Sequence, residues 1–153
     1  MDLDVNEPIK AKISEETQQV MKHFRENALD RLSAFVPINK MNLNALDLID
    51  HYFTREKVKE LLKSSKAKDP ENPMLYFIGL LGTCLGDEFV KTGHFEWNYQ
   101  KPYFHSSVVN LKTGSCITVY NWMVKKFSQF GIDDGIKWKF EQALAMIEEK
   151  ENQ

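Results

Sequence analysis

MLYFIGLLGTCLGDEFVKTGHFEWNYQKPYFHSSVVNLKTGSCITVYNWMVKKF, residues 74–127, decides between fold classes. Its opening is apolar and punctuated by Gly79, Gly82 and Gly86, whose spacings of three and four put them on one face of a helix starting at Pro73 and stopping at Gly93. An internal glycine costs a helix roughly 1 kcal/mol. Three on one face therefore predict a packing reason, the close approach of another backbone. Next, Phe95, Trp97 and Tyr99 alternate with Glu96, Asn98 and Gln100, the period of a half-buried strand. Lys101 and Pro102 break it. A second strand is predicted over Ser106–Leu111, and Lys112-Thr113-Gly114-Ser115 reads as a hairpin turn into a third, Cys116–Val119. Tyr120, Met123, Val124 and Phe127 then return to helical spacing, in a helix ending near Gly131.

Working outward, residues 1–12 read as a flexible N-terminal lead-in and residues 13–150 as one domain. A helix from Ser14 shows Val20, Phe24, Ala28, Leu29 and Leu32 at amphipathic spacing and stops before Pro37. Asn44 suits the cap of a helix carrying Leu46, Ile49 and Phe53, and Thr54 suits the cap of another with Val58, Leu61 and Leu62 inward. One bent helix or two short ones are equally allowed. Ser64–Pro73, with two serines, four charges and two prolines, reads as an exposed loop. The last helix, from about Asp134 to Glu149, shows Ile136, Phe140, Ala143, Leu144 and Ile147 on one face. The predicted class is α+β, with helices packed on one side of a small three-stranded antiparallel meander in a single domain.

Composition sets bounds on function. The 153 residues suffice for an ordinary core, and 42 % hydrophobic with 27 % charged residues is globular usage. Twenty Lys and Arg against 22 Asp and Glu leave a net charge of −2, which supplies no basic field for a polyanion, so no nucleic-acid partner is expected. The apolar run Met74–Leu85 is roughly 12 residues long and a spanning helix needs about 20, so no membrane partner is expected either. Met1–Lys10 lacks the basic start and apolar run of an export signal. Two cysteines, Cys84 and Cys116, are too few for a disulfide framework or a metal cage and read as reduced core residues of a cytoplasmic protein.

Leu85-Gly86-Asp87-Glu88-Phe89 invites comparison with the Gly-Gly-Asp-Glu-Phe motif of cyclic-dinucleotide synthases, but it continues a helix pattern and Leu85 replaces the first glycine. Asp87 and Glu88 are expected on the solvated side of that helix, with Phe89 and Val90 toward the core. His94, Glu96 and His105 are the candidate ligand or metal residues, because two imidazoles and a carboxylate converge if the first two strands pair suitably. No helix carries two histidines four apart, no Pro-Cys-x-x-Cys accompanies His94 and Glu96, and no Gly-x-Ser-x-Gly elbow occurs. No catalytic residue, cofactor or bound metal is predicted. Glu96, Asn98, Asn110 and Thr118 form the expected polar sheet face, and Trp122 and Trp138 fall off the apolar stripes of their helices, so Asn98, Asn110, Trp122 and Trp138 are the candidate partner-binding residues.

Across Leu81-Gly82, Gly86-Asp87-Glu88, Gly93, Trp97 and the hairpin to Val119, the chain resembles a loose group of uncharacterised bacterial domains. Their pattern is a helix ending in Leu-Gly-Glu, a tryptophan-bearing strand and a small meander leading into a helix. Some such domains are similar to small immunity or antitoxin-like proteins, and the resemblance implies action by binding a partner. The expected function is a non-enzymatic cytoplasmic protein-binding module of immunity or regulatory type, whose partner is another protein. A small enzyme or ligand-binding domain using His94, Glu96 and His105 is the alternative. A self-associating structural protein, pairing as a homodimer through open sheet edges, is the third reading.

Overall fold

The computed structural model describes residues 7–64, 73–127 and 135–153. Among them the order is α1 (Glu7–Leu32), α2 (Leu43–Tyr52), α3 (Arg55–Ser64), α4 (Pro73–Lys91), β1 (Phe95–Asn98), a 3-10 turn (Tyr103–His105), β2 (Ser107–Asn110), β3 (Cys116–Ile117), α5 (Val119–Lys126) and α6 (Ile136–Glu151). The three strands form one antiparallel meander in the order β1-β2-β3. This is the predicted α+β architecture.

Helix α1 starts at Glu7, so residues 7–12, expected as lead-in, are its first turns. Pro8 is harmless there because first-turn N–H groups have no intrahelical acceptor, and Ala11 and the flanking lysines favour helix. Residues 1–6 lie outside the described set. The buried stripe of α1 runs Thr17, Met21, Phe24, Ala28 and Leu32, whereas Val20 stands at its exposed edge. Two short helices follow. Asn42, not Asn44, caps α2, its side chain accepting the Ala45 N–H at 2.8 Å, and Thr54 Oγ1 accepts the Lys57 N–H at the start of α3. Most of the expected loop at residues 64–73, and the expected helix stop at Gly131, lie outside the described residues.

Helix α4 is the axis of the core and touches α1, α2, α3, α5, β1 and β2. Leu80, Leu81, Leu85 and Phe89 expose nothing, and such burial contributes roughly 1.5–3 kcal/mol per side chain. The glycine face works differently from expectation. Rings, not a backbone, fill the notches: Phe24 lies over Gly79, Tyr120 over Gly82 and Trp97 over Gly86, each where a Cβ would overlap it. Removing three side chains from α4 thus admits one aromatic from α1, one from α5 and one from β1.

On the sheet, Phe95 opposes Asn110 and Trp97 opposes Val108, and these residues point toward the helices with Ile117. Glu96, Asn98 and Cys116 stand exposed on the other face. Gly114 adopts φ +75° in the β2–β3 turn and Gly93 φ +83° after α4, the left-handed region where glycine is unstrained.

Candidate functional site

The β1–β2 register separates the histidines. His94 opposes Leu111 at one end, accepting its N–H at 2.9 Å, while His105 precedes Ser107, the partner of Asn98 at the other end. About 13 Å of strand lies between the two ends, at roughly 3.3 Å per residue. The sequence-predicted trio therefore makes no single site. Glu96 points to solvent midway, and the carboxylate that His94 meets is Glu151 of α6, with Nδ1 3.3 Å from Oε2.

Asn110 is corrected from a partner-binding residue to a turn-forming one. It is 1 % exposed, and its Oδ1 accepts from the Lys112 and Thr113 N–H groups and from the Thr113 hydroxyl, while its Nδ2 donates to the His94 carbonyl. An asparagine that opens a turn by bonding backbone ahead of it is an Asx turn, so the polar side chain is satisfied internally. Asn98 is exposed and accepts from Gln100. Trp122 is partly buried, edge-on to Phe89 with the Lys139 ammonium 6.0 Å from its ring centroid. Trp138 is 58 % exposed.

Two polar clusters emerge that the sequence did not announce. Asp87 is only partly exposed and is held by three N–H donors: Arg25 Nε and Nη2 donate to its two oxygens at 2.6 and 2.9 Å, and the Trp97 indole N–H donates at 3.0 Å. The carboxylate's hydrogen bonds hold the Arg25 guanidinium above its ordinary value, against the opposing effect of burial. Glu88, also expected outside, is 9 % exposed and 3.2 Å from Lys91 Nζ. Beside this cluster a cavity of about 150 Å³ opens between α1, α4 and the start of α2. Arg25, Asn42, Asp87 and Lys91 supply its polar wall, and Met41, Leu46 and Cys84 its apolar one.

The second cluster is a buried ion pair. Asp50, 5 % exposed on α2, meets Lys126 of α5 at 2.6 Å and accepts the Ile136 N–H at the start of α6 at 2.8 Å. Asp47, Asp50 and His51 also bring three ligand-type atoms within 4.8 Å, but Asp50 is engaged by Lys126 and Ile136 and the His51 ring bonds to the Asp47 carbonyl.

The two cysteines lie in different surroundings. Burial pushes the Cys84 thiol up to about 12, keeping it neutral and unreactive at ordinary pH. Cys116, expected in the core, is exposed at the start of β3, where the side chain points to the outer sheet face. No helix among the described residues is long and apolar enough to cross a membrane. No protein-family profile, curated protein sequence or solved structure matches the chain.

Proposed function

We propose that the chain is a non-enzymatic protein-binding module of the cytoplasm, of immunity or regulatory type, and that it meets its partner through the face bearing Trp138. The observation that carries this reading is the exposure of that indole, 58 %, on a helix whose buried face is already filled by Ile136, Phe140 and Ile147. Covering the remaining surface of a side chain that buries about 150–250 Å² contributes roughly 3 kcal/mol at about 25 cal/mol per Å². Tryptophan at that exposure is what interface centres are enriched in. Leu48 on α2, the helix packed against α6, adds apolar surface at 48 % exposure.

Affinity capture from native lysate with wild type and Trp138→Ala tests it. The expected result is a stoichiometric protein partner recovered by wild type and lost by at least tenfold with the variant, at unchanged melting temperature. A free monomer in both cases, or equal recovery of the same partner, defeats the reading.

One observation favours self-association as a second reading. β1 is an edge strand, and alternation of the ladder turns the peptide groups of Phe95 and Trp97 away from β2. A concentration-independent monomeric mass in solution removes it.

A further inference from the structure

We infer that the cavity between α1, α4 and the N-terminus of α2 is a binding site for a small organic monocarboxylate with an apolar body. Its polar wall is rich in donors. Among the described residues, Asp87 takes two of the five guanidinium N–H groups of Arg25, and the other three remain available to a ligand. Asn42 uses its Oδ1 to cap α2, which leaves the Nδ2 group as a donor. Lys91 carries its ammonium on a stem 61 % exposed, 3.2 Å from the buried Glu88 carboxylate, and an ammonium has three N–H groups, so the pair leaves donors on the solvent side.

Against these donors the wall offers one acceptor side-chain charge, Asp87, whose oxygens already receive three N–H groups. Arg25 is paired with Asp87 and Lys91 with Glu88, so the anion is recognised by the N–H groups these pairs leave over and not by a surplus of charge. The positive end of α2, capped by Asn42 at the cavity wall, also favours an anion. A planar carboxylate fits the remaining fork of a guanidinium better than a spherical ion does.

The other wall selects the body of the ligand. Leu46 is fully buried and Met41 partly so, and the Cys84 thiol is neutral, so this side offers apolar contact with no competing charge. The volume, about 150 Å³, equals about five waters at roughly 30 Å³ each, which suits a carboxylate of about five to eight heavy atoms. This site is separate from the Trp138 face, and its test does not depend on that reading.

The experiment is a titration of the ¹⁵N-labelled full chain with sodium isovalerate, followed by NMR, beside isovaleramide and sodium chloride at matched ionic strength. Isovalerate is expected to shift the Trp97 indole and Ala45 amide resonances saturably, with a dissociation constant on the order of 1–10 mM. Isovaleramide should bind at least tenfold more weakly, and chloride should leave both resonances in place. Lys91→Met should weaken isovalerate at least threefold, and because it leaves the buried Glu88 carboxylate without its cation, the same weakening should be seen in Lys91→Met/Glu88→Gln, which restores the melting temperature. Cys84→Leu, which extends into the cavity with every donor retained, should abolish the shifts. No saturation by ~50 mM, an equal response to isovaleramide or chloride, or undiminished binding by Lys91→Met would each overturn the assignment.

Discussion

Replacing Asp50 by alanine removes a carboxylate to which three helices are tied. Lys126 Nζ lies 2.6 Å from one oxygen, with side-chain exposures of 10 % and 4 %, and the Ile136 N–H reaches the other at 2.8 Å. Taking away one member of a buried pair costs about 3–5 kcal/mol, because the attraction that offset the desolvation of the other is lost. The orphaned Ile136 N–H adds about 1 kcal/mol or more. The aliphatic stem of Lys126 lets its ammonium turn toward water, which moves the total to the lower part of the range, about 4 kcal/mol. A domain near this size loses about 2–4 °C of melting temperature per kcal/mol, so Asp50→Ala should melt about 8–16 °C lower.

Asp50→Asn keeps an acceptor for Ile136 and should cost about 3 kcal/mol, as should Lys126→Met, which strands the carboxylate. The double variant Asp50→Asn/Lys126→Met removes both charges and should cost only about 1–2 kcal/mol. The coupling is therefore about 4 kcal/mol in a double-mutant cycle read by urea unfolding. Raising salt should leave the coupling nearly unchanged, since ions screen a buried pair poorly. Additive single variants, or a single-variant cost below ~1 kcal/mol, would refute the claim that this pair anchors α6 to the body.

The glycine notches make a prediction opposite in sign to helix propensity. Gly82→Ala gains up to about 1 kcal/mol in an exposed helix, yet here the methyl overlaps the Tyr120 ring, so a net loss of about 1–3 kcal/mol is expected in chemical denaturation. A stabilised Gly82→Ala would show that the ring shifts aside at no cost. Alkaline pH should destabilise the fold through Cys84 and Tyr120, both pushed up mainly by burial. The sign follows from proton counting: below about pH 9 both groups are protonated folded and unfolded, whereas above it the unfolded thiol ionises first and the native one does not. Stability then falls as pH rises, by on the order of 1 kcal/mol at pH 10 from Cys84 alone. Denaturation at pH 8 and pH 10 should show Cys84→Ala losing less than wild type over that interval, and an equal loss in both contradicts it.

What the sequence made legible was set by local periodicity. The meander, its turn at Gly114 and the helix stop at Gly93 each follow from residues within a few positions of one another, although β3 ends at Ile117 and Val119, expected in that strand, opens α5. The partners of the polar groups are not local. Arg25 reaches Asp87 across 62 positions, and Asp50 reaches Ile136 across 86, so no window of periodicity contains either pair. Asp87 did carry one hint, an acid within a continuous apolar helix, where a carboxylate needs a counter-charge or donors. Asn110 misled for the reverse reason: its alternation suits a solvated face, but it opens a turn, and local backbone donors claimed its side chain. The histidines depended on register, and a four-residue strand was enough to keep them apart.

Asp87 also shows why a structural and a functional account of one residue need not compete. By accepting from Arg25 on α1 and Trp97 on β1, it ties an N-terminal helix and the sheet to α4, and the Trp97 ring is fixed a second time in the notch at Gly86. The same bonds orient the guanidinium, using the two N–H groups that face Asp87 and leaving the others for the cavity that Arg25 lines. Without Asp87, a partly buried cation would be costly and free to rotate. With it, the charge is held in place, and its hydrogen-bonding capacity is only partly consumed. An ion pair that is incompletely saturated on its cationic side is both a brace for the fold and a preformed half of an anion site, and the order imposed by folding is what lowers the cost of binding there.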